Sequence, residues 1–331
     1  MTAIQLTSTI VICPGLKHFG YQPFCYAQGM RPLIPIDIVL DQASAVVNQK
    51  LSDGQLASAG ADHLIVFART LSGFPVVIKI GEDAATDAYV LAQVADRPVP
   101  VPMVLASGNI SYKDQSHSTT IMTRSPGIEL ANSADMGRWF RPLLDLMDEV
   151  HRVTSVDSAG PVSAILHRRP WRTWRAYLRD VLTGEEDGFD WESIAESPWV
   201  DEKILYAAIL RLLEELKHLP EPEQYHLLHG DMNPYNVLVT DDGISGLIDW
   251  SYARFGDPLF DFARLRMNLF VRQSEELTAA YFAHLHLDTT QRRIEEFYFN
   301  FQLLEYLNWY TQSEDITRVR EYVVLLDRLS H

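Results

Sequence analysis

The most informative segment of the sequence is HGDMNPYN at residues 229–236, and IDW follows it at residues 248–250. Asp231 can accept or orient the proton of a hydroxyl group. Asn236 and Asp249 offer the hard oxygen ligands that Mg²⁺ prefers. An acid, an amide and a second acid at this spacing are typical of a site that transfers a phosphoryl group. The alternative interpretation is a polar loop without chemistry in an acidic protein.

The residues on either side predict strands that bring these three side chains together. The apolar pair at 227–228 and the β-branched segment at 237–240 both predict strands. Asp-Asp-Gly at 241–243 predicts a hairpin turn, and 244–248 predicts the returning strand. That strand would deliver Asp249 back to the loop.

The motif resembles that of the aminoglycoside phosphotransferase family, a group of small-molecule kinases with a protein-kinase-like fold. These enzymes have HGD where protein kinases have HRD. The resemblance continues through GDPLFD at residues 256–261 and covers about residues 45 to 310. It implies an α+β, bilobal fold with a nucleotide bound between the lobes.

The resemblance assigns roles to five residues of the motif. It implies that Asp231 is the catalytic aspartate and that Asn236 and Asp249 bind Mg²⁺. Asp261 would support the catalytic loop. His229 is interpreted as a structural residue that holds the loop backbone rather than one that moves a proton.

The chain is expected to divide into three parts. Residues 1–35 form an N-terminal extension, 36–126 a small antiparallel β-sheet lobe that binds the nucleotide, and 127–331 a mainly helical lobe with the catalytic and acceptor sites. Met30 offers an alternative start, so the sequence leaves open whether residues 1–29 belong to the natural product.

In the smaller lobe the pattern predicts a helix that runs to Leu51, and then a β-meander that begins at Gln55. Ser58 and Gly60 lie in a turn of small residues between the first two strands. In kinases this turn covers the triphosphate, because small residues let backbone N–H groups approach the phosphate oxygens. Both residues are therefore candidate nucleotide contacts.

Lys79 is unusual because it interrupts the apolar strand VVIKI at residues 76–80. Burying an ammonium group without a partner is costly. By resemblance, Lys79 binds the α- and β-phosphates; the alternative is an outward-facing lysine at a sheet edge. Its expected partner on the next helix is Asp87, at a position where the family commonly has glutamate.

The segment TRSPG at residues 123–127 breaks the strand pattern and is interpreted as the hinge between the lobes. There the backbone C=O of Thr123 and N–H of Ser125 are expected to bind adenine. The next segment has helical period, and His151 on its apolar face is interpreted as packed rather than catalytic. Further helices are predicted at 169–178, 203–218, 262–277, 295–311 and 316–329.

Composition narrows the class of protein. With 331 residues, 47% of them hydrophobic and 22% charged, the chain can fill a large core and is not disordered. No apolar run approaches the roughly twenty residues that cross a bilayer, and no basic signal-peptide start precedes Lys17. Cys13 and Cys25 are the only cysteines, which suits neither a disulfide scaffold nor a zinc site. We expect a cytoplasmic protein without membrane partners.

The net charge of −16 argues against nucleic acid as a partner, since nucleic acid requires a basic surface. It fits a cationic small molecule, whose encounter an acidic cleft would favour. Nine carboxylates and no lysine or arginine lie between Asp180 and Glu202. This run is either a solvated surface or a lining for an amine-bearing acceptor.

These observations predict a Mg²⁺-dependent enzyme that transfers the γ-phosphate of ATP, or of GTP, to a hydroxyl group of a small molecule. An aminocyclitol antibiotic such as hygromycin B is the leading acceptor, which would make the enzyme an antibiotic-resistance factor. Choline, ethanolamine, homoserine, sugar and macrolide kinases have nearly the same motifs and remain alternatives. A non-catalytic nucleotide-binding protein is the alternative from another class. The sequence does not indicate whether the protein is a monomer or a dimer.

Overall fold

The computed structural model describes residues 33–57, 63–81, 83–155, 157–167, 169–186, 188–271 and 274–329. Its first half contains a small lobe built on one antiparallel sheet. The elements of this lobe are α1 (Ile36–Val47), β1 (Leu51–Leu56), β2 (Leu64–Thr70), β3 (Pro75–Ile80), α2 (Ala84–Val94), β4 (Val104–Tyr112) and β5 (Gln115–Thr123). The strand order is β1-β2-β3-β5-β4.

The alternation of side chains along β3 gives the sheet two different faces. Val76, Ile78 and Ile80 are completely buried in an apolar core that α1 covers. Lys79 points to the other face, where it meets Asp249 of the second lobe. Because successive side chains of a strand point to opposite faces, one strand both holds the core and supplies a charge to the cleft.

The second lobe is mainly helical. Its elements are β6 (Ile128–Glu129), a short 3-10 helix (Leu130–Asn132), α3 (Met136–Val150), β7 (Thr154–Ser155), β8 (Gly160–Pro161), α4 (Val162–Leu166), α5 (Trp174–Thr183), α6 (Trp191–Ala195), α7 (Glu202–Leu216), β9 (Tyr225–Leu228), β10 (Val237–Thr240), β11 (Gly243–Leu247), β12 (Arg254–Gly256), α8 (Leu259–Val271), α9 (Glu275–Leu285), α10 (Thr289–Gln312) and α11 (Ile316–Leu329). The predicted hairpin is present as β10 and β11, and β6 pairs with its β10 edge. Strands β7, β9, β12 and β8 form a second small sheet.

Two apolar cores stabilise the chain, and α2 joins them. Val90, Leu91 and Val94 of α2 pack into the large core of the helical lobe. The start of α2 is tied to the sheet, because Thr120 Oγ1 donates a 2.6 Å hydrogen bond to the carbonyl of Ala84. The predicted α+β, two-lobed architecture is confirmed. Within the described ranges, no helix is both long and apolar enough to cross a membrane.

Two predicted boundaries in the smaller lobe were wrong. The first helix ends at Val47 rather than Leu51, because Asn48 takes a left-handed conformation (φ 50°) and its N–H bonds back to the carbonyl of Ala45. The first strand therefore begins at Leu51, four residues before Gln55. Both errors come from one C-terminal cap that apolar periodicity does not reveal.

Helix boundaries in the second lobe also differ from the prediction. The single helix expected at 262–277 is two helices, because α8 ends at Val271 and Ser274 caps the start of α9. Helix α10 begins at Thr289 rather than at 295, since the Asp288 side chain accepts hydrogen bonds from its first turn. The helix expected at 169–178 begins only after Thr173, which caps α5.

Candidate active site

The loop of residues 229–236 runs from the end of β9 to the start of β10. Gly230 turns this loop with a φ of +79°, and a Cβ atom there would lie 1.8 Å from the carbonyl oxygen of Tyr252. Only glycine combines this conformation with such a close approach of two backbones. The glycine of the HGD motif is therefore a packing requirement.

Asp261 anchors the first two residues of the loop. Its Oδ2 accepts a hydrogen bond from the N–H of His229 (2.7 Å), and its Oδ1 accepts one from the N–H of Gly230 (2.8 Å). His151 Nε2 lies 3.0 Å from Oδ2, and its ring is buried, as expected. Burial opposes ionisation of Asp261, but the hydrogen bond and charge of His151, with the other donors, hold its pKa below the ordinary value. The buried carboxylate thus ties α8 and α3 to the loop.

His229 connects the loop to the strand that carries Asp249. Its Nδ1 accepts a hydrogen bond from the N–H of Asp231 (3.3 Å), and its Nε2 donates to the carbonyl of Ile248 (2.9 Å). The ring lies 4.6 Å from that of Trp250. Both ring nitrogens are engaged with backbone groups, which is the contact pattern of a residue that holds the backbone.

The carboxylate of Asp231 is surrounded by donors. Its Oδ2 accepts hydrogen bonds from the amides of Asn233 (2.9 Å) and Asn236 (3.0 Å). Its Oδ1 accepts one from Arg264 Nε (3.2 Å), and Arg264 Nη2 lies 3.1 Å away. This carboxylate is fixed from two sides and is partly open to solvent.

Asn236 and Asp249 lie next to each other because the N–H of Ile248 donates a 2.9 Å hydrogen bond to the carbonyl of Asn236. The amide nitrogen of Asn236 faces Asp231, so its oxygen points away from that carboxylate. The Asp249 side chain is 49% exposed, and its backbone has a φ of +64°. An amide oxygen and an exposed carboxylate are the donor set that suits Mg²⁺.

Lys79 reaches across the cleft to the end of the hairpin. Its Nζ donates to Asp87 Oδ2 (2.6 Å), Asp249 Oδ1 (2.9 Å) and Ser251 Oγ (2.6 Å). Burial lowers the pKa of Lys79, but the charges of Asp249 and Asp87 outweigh burial and raise it above the ordinary value. Although enclosure in the cleft opposes ionisation of Asp249, the nearby ammonium holds the pKa of that carboxyl below its usual range. Both groups are therefore charged at neutral pH.

Asp87 is long enough to pair with Lys79, although its side chain is one carbon shorter than the family's glutamate. It is 2% exposed, and its Oδ1 accepts a hydrogen bond from the N–H of Trp250 (3.1 Å). His63 lies in the same region with its ring against Gly81. Burial and the charge of Lys79 lower the pKa of His63 to about 4, so its imidazole is neutral at pH 7.

The remaining predicted nucleotide contacts are less defined by the structure. Ser58 and Gly60 lie outside the described residues. Thr123 ends β5, and its N–H and Oγ1 are both bonded to the backbone of Met103. Ser125 lies in the connection between the lobes, with its side chain close to Gly246. The proposed adenine contacts of Thr123 and Ser125 stay predictions.

Sequence reasoning did not identify four residues of the site. Asn233 and Ser251 lie two residues after Asp231 and Asp249, so inspection of the motif neighbours could have found them. The signal for Arg264 is an arginine one turn after Asp261, between the apolar residues Ala263 and Leu265. The fourth residue is His63, for which we find no local signal.

Comparison with known proteins identifies the family of this chain. The sequence profile described as "Phosphotransferase enzyme family" matches residues 53–297. The chain belongs to this phosphotransferase enzyme family. The family resemblance inferred from the HGD motif is confirmed.

Individual relatives have low sequence identity to this phosphotransferase. Hygromycin-B 4-O-kinase of Escherichia coli is 25% identical over 228 residues, which cover 65% of this chain and 60% of the relative. The match thus spans less than two thirds of that kinase. An uncharacterized protein of Bacillus subtilis (strain 168) is 24% identical over 63% of this chain and 68% of its own.

Solved structures establish the fold over almost the whole chain. The crystal structure of aminoglycoside phosphotransferase APH(4)-Ia superposes with a TM-score of 0.72 at 19% identity, covering 89% of this chain and 98% of that chain. A thermostable mutant of the same protein has been crystallised in a ternary complex with ADP and hygromycin B (TM-score 0.71, 20% identity, 88% and 97% coverage). The kinase-like fold predicted from the motif is therefore confirmed.

Proposed function

We propose that this phosphotransferase is a Mg²⁺-dependent kinase that transfers the γ-phosphate of ATP to a hydroxyl group of a small molecule. The observation that carries the proposal is the convergence of Asp231, Asn236, Asp249 and Lys79 at one end of the cleft. Together they provide a group to orient the hydroxyl, two oxygen ligands for a metal and a cation for the phosphates. A protein that only bound nucleotide would not need Asp231.

In this proposal each residue acts at a defined atom. The Asp231 carboxylate accepts a hydrogen bond from the acceptor hydroxyl and takes its proton as the new oxygen–phosphorus bond forms. The bond from the γ-phosphorus to the bridging oxygen breaks, and ADP leaves. Lys79 neutralises the α- and β-phosphates. Asn236 and Asp249 would hold Mg²⁺, which would supply positive charge beside the phosphates.

We further propose a cationic, hydroxylated acceptor of the aminocyclitol class, such as hygromycin B. Support comes from the net charge of −16 and from the 25% identical hygromycin-B 4-O-kinase. Neutral or singly charged acceptors such as sugars, homoserine and choline are the alternatives that the same machinery could serve.

The acidic run of residues 180–202 supports this acceptor only in part. Asp190 and Asp201 cap helices, because their side chains accept hydrogen bonds from backbone N–H groups of α6 and α7. The loop near Glu185 and Glu186 is different. Its Gly188 carbonyl accepts hydrogen bonds from two amide side chains of α10. Helix α10 also carries Glu305, whose Oε2 lies 3.6 Å from Nη1 of Arg264, a contact of Asp231. Glu185 and Glu186 are therefore the carboxylates of the run best placed to attract a cation.

The primary test is ADP release by the purified protein with ATP and Mg²⁺ in the presence of candidate acceptors. The panel contains hygromycin B, other aminoglycosides, a macrolide, choline, homoserine and sugars. Asp231→Asn is the control for a contaminating kinase. Saturable ADP release with hygromycin B that the control lacks supports the proposal. Release with only neutral acceptors would refute the aminocyclitol part, and no release with any acceptor would refute the kinase itself.

The charge of the acceptor can be tested separately with paired variants. We expect Glu185→Gln/Glu186→Gln to raise the KM for hygromycin B several-fold and to leave that for ATP unchanged, because opposite charges near a cleft attract. Glu192→Gln/Glu196→Gln, which removes two exposed charges of α6, is the matched control. The KM for hygromycin B should also rise with salt. If both double variants keep the wild-type KM for hygromycin B, and this KM does not depend on salt, the result would favour neutral acceptors.

A further inference from the structure

Arg264 contacts Asp231 from the interior of the protein. Its guanidinium places Nε 3.2 Å and Nη2 3.1 Å from Asp231 Oδ1. Only 9% of this arginine is exposed, so solvent does not weaken the contact as it weakens a surface ion pair. We infer that Arg264 is a positioning residue, which fixes the Asp231 carboxylate for the acceptor hydroxyl. This inference rests on the kinase function proposed above.

The guanidinium is itself held on its other sides. It lies 4.0 Å from the ring centre of Tyr306, and its Nη1 lies 3.6 Å from Glu305 Oε2. Glu305 Oε1 in turn pairs with Arg254 Nη1 at 3.1 Å. Negative and positive side chains thus alternate from the cleft into the core, in the order Asp231, Arg264, Glu305 and Arg254. The ring of Tyr306 and the ion pair with Glu305 therefore restrain the guanidinium on the sides away from Asp231.

The direction of these contacts decides what Arg264 does. Both of its contacting nitrogens meet Oδ1, whereas the amides of Asn233 and Asn236 meet Oδ2. With both oxygens held, the plane of the carboxylate cannot turn about the Cβ–Cγ bond. A displacement of about 1 Å at a reacting group can reduce a rate roughly 100-fold. We therefore expect this restraint on the carboxylate to affect kcat.

Helix α8 supplies a matched control. Arg266 lies two residues further along, is similarly enclosed, and pairs with Glu295 at 2.6 Å and Glu296 at 2.8 Å. Its ion pairs lie between helices and do not include Asp231. Replacing either arginine breaks a buried ion pair, which is costly for stability in both cases. Only the Arg264 variant should disturb Asp231.

The first readout is positional and needs no substrate. Crystal structures of the wild type, Arg264→Ala and Arg266→Ala would show the Asp231 side chain directly. We expect one conformer in the wild type and in Arg266→Ala, and a rotated or multiple conformer in Arg264→Ala. A single, wild-type conformer in Arg264→Ala would overturn the inference, whatever the acceptor of the enzyme proves to be.

The second readout is the slow hydrolysis of MgATP without an acceptor, in which water takes the place of the hydroxyl. Arg264→Ala should lower kcat roughly 100-fold with the KM for ATP unchanged, and ethylguanidinium should restore part of the loss. Arg266→Ala should retain wild-type kcat per folded molecule. Wild-type kcat in Arg264→Ala, or equal losses in both variants, would overturn the inference.

A lysine variant keeps the test decisive if the alanine variant does not fold. Arg264→Lys retains a positive charge beside Glu305 but cannot direct two nitrogens at Asp231 Oδ1. We expect a folded protein whose kcat is about tenfold lower and whose KM for ATP is unchanged. Wild-type kcat in this variant would count against positioning. A wild type that neither hydrolyses ATP nor phosphorylates any acceptor would refute the proposed function instead, and the positional readout would still stand.

Discussion

Asp261→Asn should be among the most damaging single substitutions in this chain, although it changes no atom that reaches the cleft. The Asp261 carboxylate is completely buried and accepts hydrogen bonds from the N–H groups of His229 and Gly230 and from His151. Asparagine has nearly the same shape but replaces one acceptor oxygen by an NH₂ donor. One of these three donors must then face the NH₂ group of the asparagine, which is itself a donor.

The magnitude follows from these three contacts. If the amide oxygen stays near His229 and His151, the N–H of Gly230 is left without an acceptor, which costs about 1–3 kcal/mol. The other two hydrogen bonds change from a charged to a neutral acceptor and lose about 1 kcal/mol each. The sum, about 3–5 kcal/mol, is a large part of the roughly 5–15 kcal/mol that stabilises a typical protein.

The assay is unfolding in guanidinium chloride followed by tryptophan fluorescence. Asp242→Asn, in the exposed β10–β11 turn, is the control and should stay within about 0.5 kcal/mol of the wild type. Because the folded-state pKa of Asp261 is lowered, its ionised form stabilises the fold in full above the unfolded-state pKa of about 3.9. This contribution disappears as the pH falls through the lower, folded-state pKa. The deficit of the variant should therefore shrink as the pH falls below about 4. A deficit under about 1 kcal/mol at pH 7, or one that does not shrink below about pH 4, would refute the reasoning.

Other substitutions test the site more directly. Asp231→Asn should lower turnover by about 10²–10⁴-fold and leave ATP affinity, measured by calorimetry, nearly intact; turnover close to wild type would exclude it as the catalytic base. Asn236→Ala and Asp249→Ala should each raise the Mg²⁺ concentration needed for half-maximal activity, because each removes an oxygen ligand. An unchanged Mg²⁺ dependence in both would place the metal elsewhere. Gly230→Ala should destabilise the protein by about 2–5 kcal/mol, since it adds a clash with a backbone carbonyl to an unfavourable φ. Gly243→Ala, whose added Cβ meets nothing within 4 Å, is its control, and equal melting temperatures would refute the packing argument.

The sequence predicted the parts of the fold that short-range pattern determines. The hairpin of β10 and β11 was predictable because Asp-Asp-Gly follows a β-branched run and precedes a second segment with apolar residues. Lys79 stood out because it interrupts an apolar strand, and the structure pairs it with Asp87 at 2.6 Å. In each case the signal lies within a few residues of the feature that it predicts.

Features that depend on distant partners or on caps were not predictable in this way. The contact between Arg264 and Asp231 joins residues 33 positions apart, and nothing near either residue indicates the other. The break between α8 and α9 has neither glycine nor proline, so no helix-breaking residue marks it in the sequence. The early start of α10 depends on the side chain of Asp288 rather than on apolar residues.

Helix α2 has a consequence for the cooperativity of folding. A fragment cut at the hinge would lose the helical-lobe part of the core in which Val90, Leu91 and Val94 are buried. Because exposing a large apolar side chain costs up to about 1.5–3 kcal/mol, the loss is a large part of the stability of a small domain. The sheet lobe should therefore not fold as an isolated fragment. In hydrogen exchange, α2 should be protected to the same degree as the core of the helical lobe, so that the two lobes behave as one folding unit.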